Sequence, residues 1–162
     1  MTRFILFTFF LIYFPVLAQQ EIDAVAEGKK AFATYGCMVC HAVSKDDKTF
    51  RTGPNLFGLF QNKPRDREVL NPNTGGRSQV KADKQYYTAS VRKSWDALAI
   101  SESGQTKGKP YPQIMPMYAK EVIPDQAVEY IWHFLRTRAA EGQAGPLVVK
   151  MKQDKKGVPN NP

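Results

Sequence analysis

Cys37 and Cys40 stand three residues apart, and His41 follows the second thiol directly. Thiols at that spacing can serve as a redox pair, supply half of a zinc site, or close a small disulfide. With a histidine attached, the run Cys37-Met38-Val39-Cys40-His41 is the attachment signature of a c-type haem. The spacing lets each thiol add to one vinyl group of the macrocycle. The histidine then sits beneath the ring with one imidazole nitrogen aimed at the iron. Its other ring nitrogen needs an acceptor to hold the ring in place. Zinc would require about four ligands, and the chain has no further cysteine and only one further histidine, His133. A thioredoxin-type pair would sit between a strand and a helix in a βαβ unit, and no such alternation is visible.

An iron that carries electrons needs a sixth ligand that stays bound in both oxidation states. A thioether is soft and neutral and stabilises the ferrous form. Met115-Pro116-Met117-Tyr118 offers two. Pro116 pushes Met115 towards an extended conformation. In an extended segment residues two apart share a face, so periodicity leaves Met117 open as the rival. The other reading makes both methionines core fillers beside an open iron.

The elements around these residues are helical. Val25, Gly28, Ala31, Phe32 and Tyr35 recur at helical steps, with Glu21, Asp23 and Glu27 near the start. A glycine inside a helix costs roughly 1 kcal/mol against alanine, so Gly28 implies close approach of another helix. Residues 84–98 read as helical or turn-rich. Pro124-Asp125 opens a strong helix whose apolar face carries Ala127, Val128, Ile131, Phe134 and Leu135. His133 lies in that pattern, either at its edge or as a competing iron ligand. Residues 61–85 are rich in Asn, Pro, Gly, Lys and Asp, and read as surface loop with turns; 101–113 read as a polar loop.

With these residues in place, the chain resembles the class I cytochromes c, soluble carriers with one haem. Gly28-x-x-x-Phe32 ahead of the Cys37–His41 motif is similar to the family's first helix and haem site. The run from Thr52 through Pro54, Asn55 and Leu56 to Phe60 is similar to the loop that follows the ligand histidine. The resemblance covers roughly residues 22–139. It implies an all-α cytochrome c fold of roughly three to five helices around one haem c, which completes the hydrophobic core. It implies covalent attachment at Cys37 and Cys40, axial ligation by His41 and Met115, and Pro54 accepting the hydrogen bond of the ligand imidazole. Leu56, Tyr87 and Trp95 would join the haem pocket. Tyr87 and Trp95 would either donate to the propionates or serve as core aromatics. Gly28 and Phe32 would meet Ile131 and Phe134 where the first and last helices cross. Gln61-Asn62-Lys63 stands where many relatives carry Gly-Arg-Lys, which puts the arginine contact to a propionate that the family makes there in question.

The chain has 162 residues, enough for one domain with a modest core, and a formal net charge of +8. Arg3, an apolar run over 4–14, and small residues at Val16 and Ala18 fit a secretory signal over 1–18; an uncleaved anchor is the other reading. The domain is expected over 19–141. A basic extension over 142–162 either docks on a partner or does nothing. The lysines are scattered and no nucleic-acid motif accompanies them, so the charge points to acidic redox partners. The expected function is one-electron transfer in an exported, bacterial periplasmic compartment, without enzymatic chemistry. The alternatives are a haem subunit of a larger periplasmic oxidoreductase, and a haem enzyme or gas sensor with an open sixth site.

Overall fold

The structure is a computed structural model and describes residues 22–139 apart from 48 and 50. The expected signal over 1–18 and the extension over 142–162 lie outside the described residues.

Helix α1 runs Ala24–Thr34. It begins there because the Asp23 carboxylate accepts from the N–H groups of Val25 and Ala26, at 3.0 and 3.1 Å. Those donors have no partner inside the helix. Ala24, Gly28 and Phe32, four residues apart, form its buried stripe. Gly36, at φ +70°, turns the chain out of α1 into a single helical turn, α2, Cys37–Cys40. Helix α3 spans Lys84–Arg92, with the Asp83 side chain accepting from the N–H of Tyr86. Helix α4 spans Asp125–Ala139, with acid in its first turn and Arg136 and Arg138 in its last. Both ends suit the helix dipole.

Among the described residues the fold is not cleanly all-α. Four helices are joined by a three-stranded antiparallel sheet in the order β2-β1-β3. Strands β1 (Asp66–Leu70) and β2 (Arg77–Lys81) form a hairpin in the segment expected to be surface loop. The turn residues are what the sequence shows, Asn71-Pro72-Asn73-Thr74-Gly75-Gly76. The Asn71 side chain accepts from the N–H groups of Asn73 and Thr74. The strand pattern is hidden because Arg67 is one of the two buried residues of β1, with Val69, and β2 is mostly polar. Helix α3 ends at Arg92, so the helical expectation stops short of Leu98. Leu98–Ala99 is instead β3, paired with Leu70 and Val69.

Helices α1 and α4 cross at Gly28. A Cβ there would lie 1.9 Å from the Tyr130 carbonyl oxygen and 2.8 Å from Phe134 Cβ. Beside this contact the Phe32 and Phe134 rings stand 5.7 Å apart. Ile131 joins Phe32 and Phe134 in the core. A second aromatic group, Phe60, Tyr87 and Trp132, has ring centroids 5.3 to 5.6 Å apart and ties α3 to α4. Trp132 is fully part of this core at 7 % exposure. No helix among the described residues is long and apolar enough to cross a membrane.

Candidate functional site

The α2 turn presents Cys37 and Cys40 three residues apart, which places both side chains on one side of a helical turn. They are not joined as a disulfide. Burial pushes the Cys37 thiol up to about 11, and a charge on Cys40 would add to the shift. His41 closes the turn: its N–H donates to the Cys37 carbonyl at 3.0 Å, and its own backbone is extended. That change of backbone swings the imidazole away from α2.

His41 Nδ1 donates to the Pro54 carbonyl at 2.9 Å. With the proton on Nδ1, the lone pair is on Nε2. The loop carrying Pro54 is stitched to the thiol motif, with Gly53 N–H donating to the Cys40 carbonyl and Leu56 N–H to the Ala42 carbonyl. Gly53 has a steric role that the sequence did not disclose. A Cβ there would lie 2.4 Å from His41 Cε1, so only glycine lets the ring lie against this loop. Burial lowers the His41 pKa below its usual 6.5; the Pro54 acceptor opposes this and the charge of Arg67 adds to it. The imidazole is therefore neutral at pH 7, the form that can bind a metal.

His41, Cys37 and Cys40 open onto an apolar cleft that is open to solvent on one side. Phe32, Pro54, Leu56, Leu59, Phe60, Tyr87, Val91, Leu98, Ile131 and Leu135 line it. Among the described residues the lining holds no carboxylate, lysine or arginine, and His41 is its lone imidazole. Met115 also lines the cleft, while Met117 does not and is 49 % exposed. His133 is not in the lining; its Nε2 pairs with Glu129 at 3.2 Å on α4.

Two expected propionate donors have other partners. The Tyr87 hydroxyl donates to the Val128 carbonyl at 3.0 Å, because this residue lies on the face of α3 turned to α4. Its ring still forms part of the cleft wall. Trp95 lies past the end of α3, is 42 % exposed, and is neither a core aromatic nor a wall of the cleft. Its indole Nε1 donates to the Met115 carbonyl at 2.9 Å.

Arg67 is the residue the sequence did not point to. Its side chain is 3 % exposed, its nearest carboxylate is Glu102 at 4.0 Å, and its Nε has no hydrogen-bond partner. Glu102 is already held by Arg65 at 2.8 Å. A buried guanidinium without an adequate partner is costly. Its charge reaches His41. Arg67 is not in the lining of the cleft, so the fit to a haem rests on the apolar walls, the two thiols and the imidazole committed to Pro54. Asn62, standing where relatives carry arginine, accepts instead from Arg136 of α4. In the sequence Arg67 is marked only by its place in the buried register of a short alternation, Arg67 and Val69 of β1.

Among the described residues, no group of three or more His, Cys, Asp and Glu side chains is arranged to hold a metal ion. A family model described as Cytochrome c matches residues 25–139. No curated protein matches the chain.

Proposed function

The chain belongs to the cytochrome c family, and on that premise we propose that it carries single electrons on a haem tethered by Cys37 and Cys40 and held axially by His41 and Met115. The haem iron supplies the ferrous–ferric couple. The observation that carries the reading is the meeting of four groups at one apolar cleft: the two thiols, an imidazole with Nδ1 committed to Pro54, and one thioether.

Each residue has a task that follows from its place. Cys37 and Cys40 prevent loss of the cofactor. Pro54 and Gly53 fix the plane of the His41 ring and keep its proton on Nδ1. Met115, which lines the same cleft, would supply the thioether and so leave no position at the iron for water or small ligands. The apolar lining favours the less charged ferrous form. The lining offers no second base, which favours electron transfer over peroxidase-type chemistry.

The basic balance supports acidic redox partners in an exported compartment, attracted in a way that weakens with salt. Met38, Val39, Ile114 and Met117 are exposed apolar residues beside the thiols and the thioether. They provide the short-range contact once charge has brought a partner in.

The test is the absorption spectrum of the holoprotein, oxidised and reduced, before and after carbon monoxide. A low-spin spectrum with the weak far-red methionine–iron band, unmoved by carbon monoxide, is expected. Met115→Ala should abolish that band and Met117→Ala should keep it. A high-spin ferric spectrum or prompt carbon monoxide binding would overturn the reading.

A further inference from the structure

The segment from Ile114 to Tyr118 has no helix or strand of its own, yet its backbone is held at several points. The Met115 carbonyl accepts two hydrogen bonds, from Ser94 Oγ at 2.8 Å and from Trp95 Nε1 at 2.9 Å. Three residues on, the Tyr118 N–H donates to the Val91 carbonyl at 3.0 Å. The Tyr118 carbonyl accepts from Arg92 at 2.9 Å. All these partners lie in the last turn of α3 or just past it.

The arrangement has a physical cause. The last carbonyls of a helix lack donors within it, and Val91 finds one in the segment beyond. The segment, lacking a ladder of its own, takes its order from the end of the helix. At Met115 both lone pairs of one carbonyl are occupied, so the peptide cannot rotate without breaking two bonds at once. Ser94 is 7 % exposed, so water cannot readily replace its acceptor. Pro116 restricts the same residue from the other side.

We infer that Ser94 and Trp95 are positioning residues for Met115, holding its backbone so that the thioether stays at the cleft and competing ligands stay out. This rests on the reading of Met115 as the sixth ligand. An incoming ligand displaces the thioether, and where that moves the Met115 backbone away from α3 it breaks both bonds. Losing one donor should therefore favour displacement about fivefold. Losing both should favour it more, without strict additivity, because the donors share one acceptor.

The test uses ferric holoprotein titrated with imidazole and followed by loss of the far-red methionine–iron band. Ser94→Ala and Trp95→Phe should each raise the apparent affinity for imidazole about fivefold. Ser94→Thr, which keeps the hydroxyl, should bind imidazole as the wild type does. Thr137→Ala removes a hydroxyl bond to the Phe134 carbonyl within α4, away from the segment, and should leave imidazole affinity unchanged whichever way it moves the melting temperature. A wild-type band with unaltered imidazole affinity in both Ser94→Ala and Trp95→Phe would overturn the inference alone. So would Ser94→Thr behaving like Ser94→Ala. A wild-type protein without the band would overturn the Met115 reading and the inference together.

Discussion

Replacing Gly28 with alanine should destabilise the protein, against the normal trend for a helix interior. Alanine in place of glycine favours a helix by about 1 kcal/mol. Here the new Cβ would lie 1.9 Å from the Tyr130 carbonyl oxygen and 2.6 Å from its carbonyl carbon. An ordinary contact needs about 3.4 Å, so α1 and α4 must separate by about 1.5 Å. The obstructing atoms are backbone inside α4 and have no rotamer to change. Overpacking typically costs about 1 to 3 kcal/mol, and a rigid obstacle puts this site at the upper end. Separation also loosens the pair of Phe32 and Phe134. The net loss is about 2 kcal/mol, equivalent to a melting temperature lower by about 8 °C in a domain of this size. Guanidinium unfolding of the holoprotein, followed by helical circular dichroism, measures it. Gly36→Ala is the comparison, since Gly36 has φ +70° and nothing near its missing Cβ. That variant should lose only about 1 to 2 kcal/mol through backbone strain. If Gly28→Ala equals or exceeds the wild type in stability, the crossing is not where it has been placed.

Other expectations follow from the site and its surroundings. Arg67 is buried and its Nε has no hydrogen-bond partner, so Arg67→Leu removes a costly buried charge and should leave the melting temperature unchanged or raised; a clear fall in thermal unfolding would show that the guanidinium is satisfied. His133 is held below its ordinary 6.5, first by burial and then by the charges of Lys84 and Arg136, with Glu129 opposing. The folded state therefore takes up its proton less readily than the unfolded one. This contribution to stability is complete above about pH 6.5 and is lost as pH falls through the folded value. Melting temperatures measured from neutral to mildly acid pH should show that decline, and His133→Gln should flatten it. Replacing both Cys37 and Cys40 with serine removes covalent attachment. The apolar cleft then has nothing to close around, and far-ultraviolet dichroism should show reduced helix content and no cooperative melt.

The parts of the fold visible in the sequence are those that local chemistry decides. Asp23 ahead of a helical stripe, a costly glycine at position 28, and Pro124-Asp125 before an apolar face each report on their own few residues. The thiol motif and the Pro54 loop are equally local, and the Met115-Pro116-x-Tyr118 pattern favours Met115, which also lines the cleft while Met117 does not. The hairpin escaped notice for the opposite reason. Its buried face is carried by a charged residue, Arg67, whose burial depends on what packs over it from elsewhere in the chain. Tyr87 and Trp95 could be singled out as donors by type, but not assigned acceptors. Those depend on how α3 is rotated against α4 and on the residue at which α3 stops. Gly53 was invisible because its constraint comes from the ring of another residue.

The contact between the first and last helices also sets an order in time. Residues 35–124 lie between α1 and α4, some 90 residues. Closing a loop of that length costs on the order of 4 kcal/mol before the contact returns anything. Neither helix can be secured early, and folding should be slow for a chain with this much helix. The thiol motif is made about 90 residues before Ile131 and Leu135, which wall the same cleft. Over that interval of synthesis one side of the cleft is an open bay. The α4 wall closes it only once that stretch has been added, and a chain stopped before α4 would leave a bound haem exposed to solvent.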